Sequence, residues 1–422
     1  MIRTSISLSA VGAAALALVA AASPAGAVER SDAEVVIEWN QLLEDALPAG
    51  GLSQPRHFAM LHVAMFDAIN SIERTYRPYR LSVPAPSGAS AEVAAAQAAR
   101  DLLVAQFPDG RPAFDAALQA RVGGVAAGRA GPAIRVGRAV AAAVLAWRQD
   151  DGWSTPPPPY VLPPLPGAYQ PTSATPAAFR QFQFMEPFAL LTSTQYLPAA
   201  PATLTSEQYA RDLEEVRTVG ARASAVRTAE QTQLAQLFAN VTSRTSHWAL
   251  WNHVARDTAR ARGLSLVETA RAFALLNVAI HDGLQTSHTS KFVYGLWRPV
   301  TAIQRADEDM NPLTAADPAW QPLLTTPAYP SHAGNQACVG ASAARTLALA
   351  HGLDEVAFTA VWQGSSGNPD VARPYASFSQ LAQDQANSRI YGGIHFRFEN
   401  EASQHSCPKV AEYVFARYMQ PQ

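Results

Sequence analysis

Apolar residues in this chain recur at helical spacing, and the segments they define are separated by proline, glycine and short polar runs. The spacing predicts helices over 33–47, 56–70, 91–106, 113–122, 133–149, 229–239, 333–350 and 410–419. Another starts at Thr205 or Ser206 and runs through Glu214, Glu215 and Val216. Pro48-Ala49-Gly50-Gly51, Pro108-Asp109-Gly110, Gly123-Gly124 and Gly131-Pro132 punctuate the first group. Residues 154–176, with Pro156 to Pro159 in succession, carry little periodicity; Tyr160, Leu162, Leu165 and Tyr169 suggest a loop laid over a surface. Strand-like alternation is scarce, so the expected class is all-α.

One helical pattern occurs twice. Arg56-x-Phe58-Ala59-x-Leu61-x-Val63-Ala64-x-x-Asp67 returns 215 residues later as Arg271-x-Phe273-Ala274-x-Leu276-x-Val278-Ala279-x-x-Asp282. The repeat predicts one large bundle of two related helical halves. We place the N-terminal half at 28–160, connecting loop and helices at 161–245, and the C-terminal half at 246–422. His57, His62 and Asp67 could suggest a metal site, but polar groups on one side of a packed helix are the better reading.

The start of the chain changes where this bundle is expected to work. Arg3, an apolar run over 11–22 and Ser23-Pro24-Ala25-Gly26-Ala27 have the form of a secretory signal peptide, 1–27, cleaved after Ala27. The apolar run is shorter than the roughly 20 residues of a spanning helix. The expectation is a secreted or periplasmic protein with no membrane span in its mature chain. A formal charge of −2 argues against a nucleic-acid partner. Hydrophobic content of 48% is ample for a core. Cys338 and Cys407 are the only cysteines, and in an oxidising compartment such a pair either forms a disulfide or stays as buried thiols.

The densest chemistry lies in Ser388-Arg389-Ile390-Tyr391-Gly392-Gly393-Ile394-His395-Phe396-Arg397-Phe398-Glu399. An arginine before a glycine pair and a histidine after it suggest an anion site, because vicinal glycines let the backbone turn sharply or approach a ligand. Two further segments line up with it: Lys291 followed by Trp297-Arg298-Pro299, and Pro330-Ser331-His332. Lysine is otherwise found only at Lys409, which makes Lys291 more telling than any one arginine. Ser331 reads as the N-cap of the following helix, whose free N–H groups favour an anion.

Together these three segments resemble the signature of the vanadium-dependent haloperoxidase and type 2 phosphatidic acid phosphatase superfamily, and the chain's length resembles bacterial haloperoxidase-type members. The resemblance implies that Lys291, Arg298 and Arg389 neutralise a tetrahedral oxyanion and that Ser331 donates a hydrogen bond to it. It implies that His395 binds vanadium of vanadate, or in a phosphatase attacks phosphorus, and that His332 is the general acid/base. Gly393, Trp297 and Glu399 would support the site, Glu399 by orienting His395 or an arginine. Arg397 would have a secondary role. The cofactor is vanadate for a haloperoxidase and none for a phosphatase. Partners are small molecules, peroxide and halide in one case and a phosphate ester in the other.

The sequence departs from that signature in places. It reads Pro330-Ser331-His332-Ala333 where the family has Pro-Ser-Gly-His, which puts His332 one place out of register. Glu399 stands where aspartate is usual, and Thr326 is neither of the residue types, aromatic or histidine, that hold halide. Tyr294, Trp297 and Phe396 are expected as pocket walls or core. Among His281, His288 and His405, His288 is the best further candidate. A Cys338–Cys407 disulfide is expected to tie the two site helices together. The activity implied first is halide oxidation by peroxide; the alternatives are an acid phosphatase working through a phosphohistidine and a non-catalytic anion-binding protein.

Overall fold

The computed structural model describes residues 1, 33–48, 51–174, 176–239, 246–364 and 369–422, and residues 32–422 form one compact unit. Apart from Met1, the expected signal segment lies outside the described residues. The described chain is mostly helical, at 58% helix. Its first helices are α1 (Glu34–Ala46), α2 (Gln54–Glu73), α3 (Ala91–Gln106), α4 (Arg111–Val122) and α5 (Ala127–Arg148). A long irregular segment leads to α6 (Glu207–Val219), α7 (Ala229–Leu237), α8 (His247–Arg262) and α9 (Leu266–Tyr294). Then follow α10 (Pro299–Gln304), α11 (Asn335–His351), α12 (Phe378–Tyr391) and α13 (Arg397–Arg417). No helix among the described residues is long and apolar enough to cross a membrane.

The repeated pattern forms the centre. Helices α2 and α9 pack against each other, and Ala59, Ala64, Ala274 and Ala279 are fully buried along them. Small side chains let helix backbones approach closely, which leaves polar residues in the seam little choice but to pair with one another. The Asn40 amide donates to His62 Nε2 at 2.8 Å and to Asn252 Oδ1 at 2.8 Å, while Asn252 and Asn277 exchange amide hydrogen bonds at 2.9 Å. His62 and Asn277 occupy equivalent places in the repeat.

The paired aspartates do equivalent work. Asp67 accepts the N–H groups of Tyr79, Arg80 and Leu81 at 2.7–2.9 Å, and Asp282 accepts those of Phe188, Ala189 and Leu190 at 2.7–2.9 Å. Each carboxylate thus satisfies a run of backbone donors that no helix or sheet serves. His57 bonds to Gln106, His62 to Asn40, and no group of residues suited to a metal occurs among the described residues.

In each half the central helix is followed by two helices that cross closely. Helices α3 and α5 meet at Gly137, where a Cβ would strike the Ala94 carbonyl. Helices α11 and α13 meet at the Cys338–Cys407 disulfide, with Cα atoms 5.3 Å apart, within the range that disulfide geometry allows.

Several boundaries differ from expectation, for identifiable reasons. Helix α5 runs through Gly131-Pro132 rather than starting after it, because burial of Ala133, Val136 and Gly137 against α3 outweighs the one hydrogen bond a proline removes. Ser331 is not an N-cap: Gly334 is, and the chain before it is extended, with the Ala333 N–H given to Ser290 Oγ at 2.8 Å. Helix α13 begins at Arg397, far ahead of 410, because its first turns bury polar residues that hide the helical pattern. A two-stranded antiparallel hairpin, β1 (Phe358–Trp362) with β2 (Val371–Tyr375), interrupts the otherwise all-α architecture. The segment over 154–176 does lie on the surface of the C-terminal half: Ala168 bridges Leu296, and the Tyr169 N–H donates to the Gly295 carbonyl at 2.7 Å.

Candidate oxyanion site

Three separate connections bring the motif residues together. Lys291 lies in the last turn of α9, which Gly295 closes in a left-handed conformation with its N–H on the Lys291 carbonyl. The chain then runs to Arg298, the residue before α10. The Ser331 N–H donates to the Leu296 carbonyl at 2.9 Å, so the second motif is pinned alongside the first. Arg389 sits in the last turn of α12, and Gly392-Gly393 turns the chain back to deliver His395 just ahead of α13. Gly393 has φ of 76° and lies where a Cβ would collide with the Gly220 carbonyl. Glycine is therefore required there on two counts. Trp297 is buried beneath the first connection, where its indole N–H donates to Tyr209 at 3.1 Å.

His395 is held in one tautomer. Its Nδ1 lies 2.7 Å from Glu399 Oε2, which also accepts the Phe396 N–H at 2.9 Å. A carboxylate oxygen in that place makes Nδ1 the protonated nitrogen, which leaves Nε2 as a lone pair 3.3 Å from Arg298 Nη1. Burial drives the His395 pKa well below that of an ordinary imidazole, and Arg298, Lys291 and Arg389 push the same way. The ring is thus a neutral donor of a lone pair. Burial also raises Glu399 to about 7, opposed first by the Lys291 charge.

The cations around this ring are buried and under-used. Lys291 gives its ammonium to the carbonyls of Ser331, at 2.7 Å, and Ala333. Burial pulls its pKa well below the usual lysine value, and the Arg298 charge pulls it further. Arg298 donates to the carbonyls of Tyr329 at 2.8 Å and Ile394 at 3.0 Å, but its Nη2 has no partner. The Tyr329 ring lies over both cations, 5.4 Å from Lys291 Nζ and 4.9 Å from the Arg298 guanidinium. Arg389 is lowered to about 10 by burial and, among the described residues, makes one long hydrogen bond, 3.4 Å to the Phe238 carbonyl. The Ser331 hydroxyl favours the charged form of Glu399 without closing a hydrogen bond of normal geometry. Buried donors without partners are costly, so a site with several of them is complementary to a missing acceptor.

A cavity of about 50 Å³ opens beside His395 and Arg389, and one of about 430 Å³ outside it shares Tyr329, His247, Gln336 and Arg389 as walls. Lys291, Arg298, Ser331, Arg389 and His395 therefore converge. His332 is held differently. Its Nε2–H donates to the Ala199 carbonyl at 2.7 Å, its ring lies between Tyr294 and Phe398, and Nδ1 is buried without a partner. Like Lys291, Arg298 and Ser331, it is not among the residues lining either cavity. Burial lowers it to about 4.

Residues 271–422 match the family described as VCPO second helical-bundle domain. Over the whole chain, a bacterial vanadium-dependent iodoperoxidase has the same fold, with a TM-score of 0.76 at 21% identity, covering 92% of this chain and 96% of that one. The holo form of a bacterial vanadium-dependent chloroperoxidase gives 0.68 at 14% identity, covering 94% of each chain. Residues 271–422 are thus similar to that second helical-bundle domain, and the chain shares the fold of these two vanadium-dependent haloperoxidases. No curated protein matches it in sequence.

All of the motif residues lie inside the stretch shared with the superfamily's second helical bundle. Some walls of the two cavities come from outside it. His247, Trp248 and Phe238 reach it from α8 and the end of α7, and Leu52 from the chain before α2. Sequence reasoning missed them because nothing in their local pattern ties them to a motif. Tyr329 was findable, as the residue before Pro330. His288 packs among Phe182, Phe292 and Tyr329, with Nδ1 accepting from Asn335 at 3.0 Å, and it lines neither cavity. Arg397 pairs with Glu215, and exposed His405 bonds to Lys409. Thr326 does not line either cavity, although its neighbours Thr325 and Pro327 do.

Proposed function

We propose that this protein is a vanadate-dependent haloperoxidase that oxidises halide with hydrogen peroxide. The observation that carries the reading is His395: a neutral imidazole, fixed by Glu399, whose lone pair faces Arg298 among buried cations. The residues present fit vanadate, since Arg298 Nη2 and Ser331 Oγ are buried without partners and a tetrahedral oxyanion offers acceptors in several directions. When bound, vanadate supplies the Lewis acidity that activates peroxide toward a two-electron oxidant.

The chain's own residues do the rest. His395 Nε2 would bind vanadium, and Glu399 keeps that nitrogen unprotonated by holding the proton on Nδ1. Arg298, Arg389 and Lys291 would spread the anion's charge over buried donors held in place by the fold. The unpartnered Nδ1 of His332 would take a proton from peroxide and return it to the departing water. Trp297 and Gly393 set the two backbone turns that aim Arg298 and His395. The leader over 1–27 is proposed to export the chain to an oxidising compartment, in keeping with the Cys338–Cys407 disulfide.

The same neutral His395 suits a second reading. Without vanadate, Nε2 would attack the phosphorus of a phosphate ester, the alcohol would leave with a proton, and water would release phosphate from the histidine.

Both are tested on one preparation. After incubation with orthovanadate, the protein is expected to oxidise iodide or bromide in a peroxide-dependent way, and His395→Ala to fall to background. Ester hydrolysis that vanadate inhibits and His395→Ala abolishes, with no halide oxidation, selects the phosphatase. His332→Ala should lower turnover by about 10²–10⁴-fold with vanadate affinity retained. Unchanged turnover would remove His332 from proton transfer.

A further inference from the structure

His247 and Gln336 are buried walls of the inner cavity that the reading above leaves without a task. His247 is the first residue of α8 and Gln336 lies in the first turn of α11. The Gln336 amide nitrogen donates to the Phe238 carbonyl at 3.2 Å. A carbonyl can only accept, which fixes the side chain's orientation. The same nitrogen lies 2.7 Å from His247 Nε2, so that Nε2 must be the acceptor. Burial keeps the His247 ring neutral, at about 3, and its proton is therefore on Nδ1. Two atoms are left over, both buried and without a partner: a donor, His247 Nδ1–H, and an acceptor, Gln336 Oε1.

The pair belongs to the anion site by geometry. The Phe238 carbonyl that receives Gln336 also receives Arg389 at 3.4 Å, and the inner cavity is lined by His247, Gln336, Arg389 and His395 together. Elsewhere the site offers cations, a hydroxyl and the Glu399 carboxyl, which is engaged by His395 and the Phe396 N–H and approached by the Ser331 hydroxyl, while the nearby Asn335 Oδ1 is taken by Ser287 at 3.0 Å. An unoccupied amide oxygen among donors repels a fully ionised oxyanion and accepts from one that carries a proton.

We propose that His247 and Gln336 read the protonation of the bound oxyanion, His247 Nδ1–H donating to one ligand oxygen and Gln336 Oε1 accepting from the ligand's own O–H. The site would then select hydroxyl-bearing tetrahedral anions, such as hydrogen phosphate and protonated vanadate, over sulfate. The inference rests on the reading of the His395 cavity as an oxyanion site.

The test is competition of hydrogen phosphate and of sulfate against orthovanadate on the full-length protein. It is run where both competitors carry two negative charges, so that they differ by the proton. Wild-type protein is expected to prefer phosphate, and Gln336→Met to lose about tenfold of that preference, through weaker phosphate binding with sulfate unchanged. Gln336→Glu, which keeps an acceptor at the same reach, should bind both anions more weakly yet still prefer phosphate. Equal competition in the wild type, or a preference that survives Gln336→Met, overturns the pair alone. No competition by either anion overturns the pair and the oxyanion reading together.

Discussion

Helices α2 and α9 start from the same pattern and end differently, and the difference explains where the site is. Both bury an aspartate that collects three consecutive backbone N–H groups. For Asp67 the donors are Tyr79 to Leu81, only 12–14 residues downstream, so the chain must leave the helix and turn back at once. Helix α2 duly stops at Glu73, with Arg74 in a left-handed conformation. For Asp282 the donors are Phe188 to Leu190, 92–94 residues upstream, which leaves the helix free to continue. It runs on to Tyr294 and carries Lys291 into the site. The position of Tyr76 in the repeat is that of Lys291, and in the first half it lies beyond the helix. A change of hydrogen-bond donor, rather than of acceptor, separates a structural half from a chemical one.

Removing the two carboxylates breaks the comparison most directly. Asp282→Ala leaves three buried N–H groups unpaired, and at about 1–3 kcal/mol for each orphaned donor it should cost roughly 3–9 kcal/mol in denaturant unfolding. Asp67→Ala frees donors that are only part-buried, which water can reach, and should cost roughly half as much. Equal losses would mean that the two turns are equally sealed and would remove the asymmetry. Next in size is the crossing of the outer helices. Cys338→Ser with Cys407→Ser should lower stability by about 2–4 kcal/mol, because the bridge closes a span of 69 residues. The first half replaces that bridge with contact at Gly137 and has no corresponding dependence on reducing agent.

The legibility of this chain follows the range of the interactions involved. Lys291 to Arg298 and Arg389 to His395 were readable because covalent spacing fixes each pair, and the glycine pair between the latter two announced its turn. The aspartates were readable as a repeat but not in their function, since nothing near Asp282 reveals that Phe188 to Leu190 will come to it. Ser331 misled because longer-range contacts, its own N–H with the Leu296 carbonyl and the Ala333 N–H with Ser290, accompany an extended chain here, and the helix starts only at Asn335. The start of α13 was hidden because Glu399, Asn400, Ser403 and Ser406 are polar and buried, the reverse of a surface helix. His247 and Gln336 were invisible for a further reason: each is ordinary in its own helix and distinctive only where α8 meets α11.

The smallest test turns on a difference inside the seam itself. His62 in α2 and Asn277 in α9 fill equivalent places in one amide network, yet only His62 titrates. Burial lowers its pKa from 6.5 to about 3, with Arg256 pushing in the same direction. The folded form therefore resists a proton that the unfolded chain accepts. The stability this contributes is complete above pH 6.5 and is lost as pH falls toward 3, amounting to roughly 2 kcal/mol at pH 5. His62→Gln should reduce the acid slope of unfolding by up to one proton over that range, whatever the cost of the substitution at neutral pH. Other buried histidines share the slope, so the quantity to measure is the difference between variant and wild type in urea unfolding at pH 5 and pH 7. An unchanged slope would show that His62 is protonated without penalty, and that the two halves of the seam respond to acid alike.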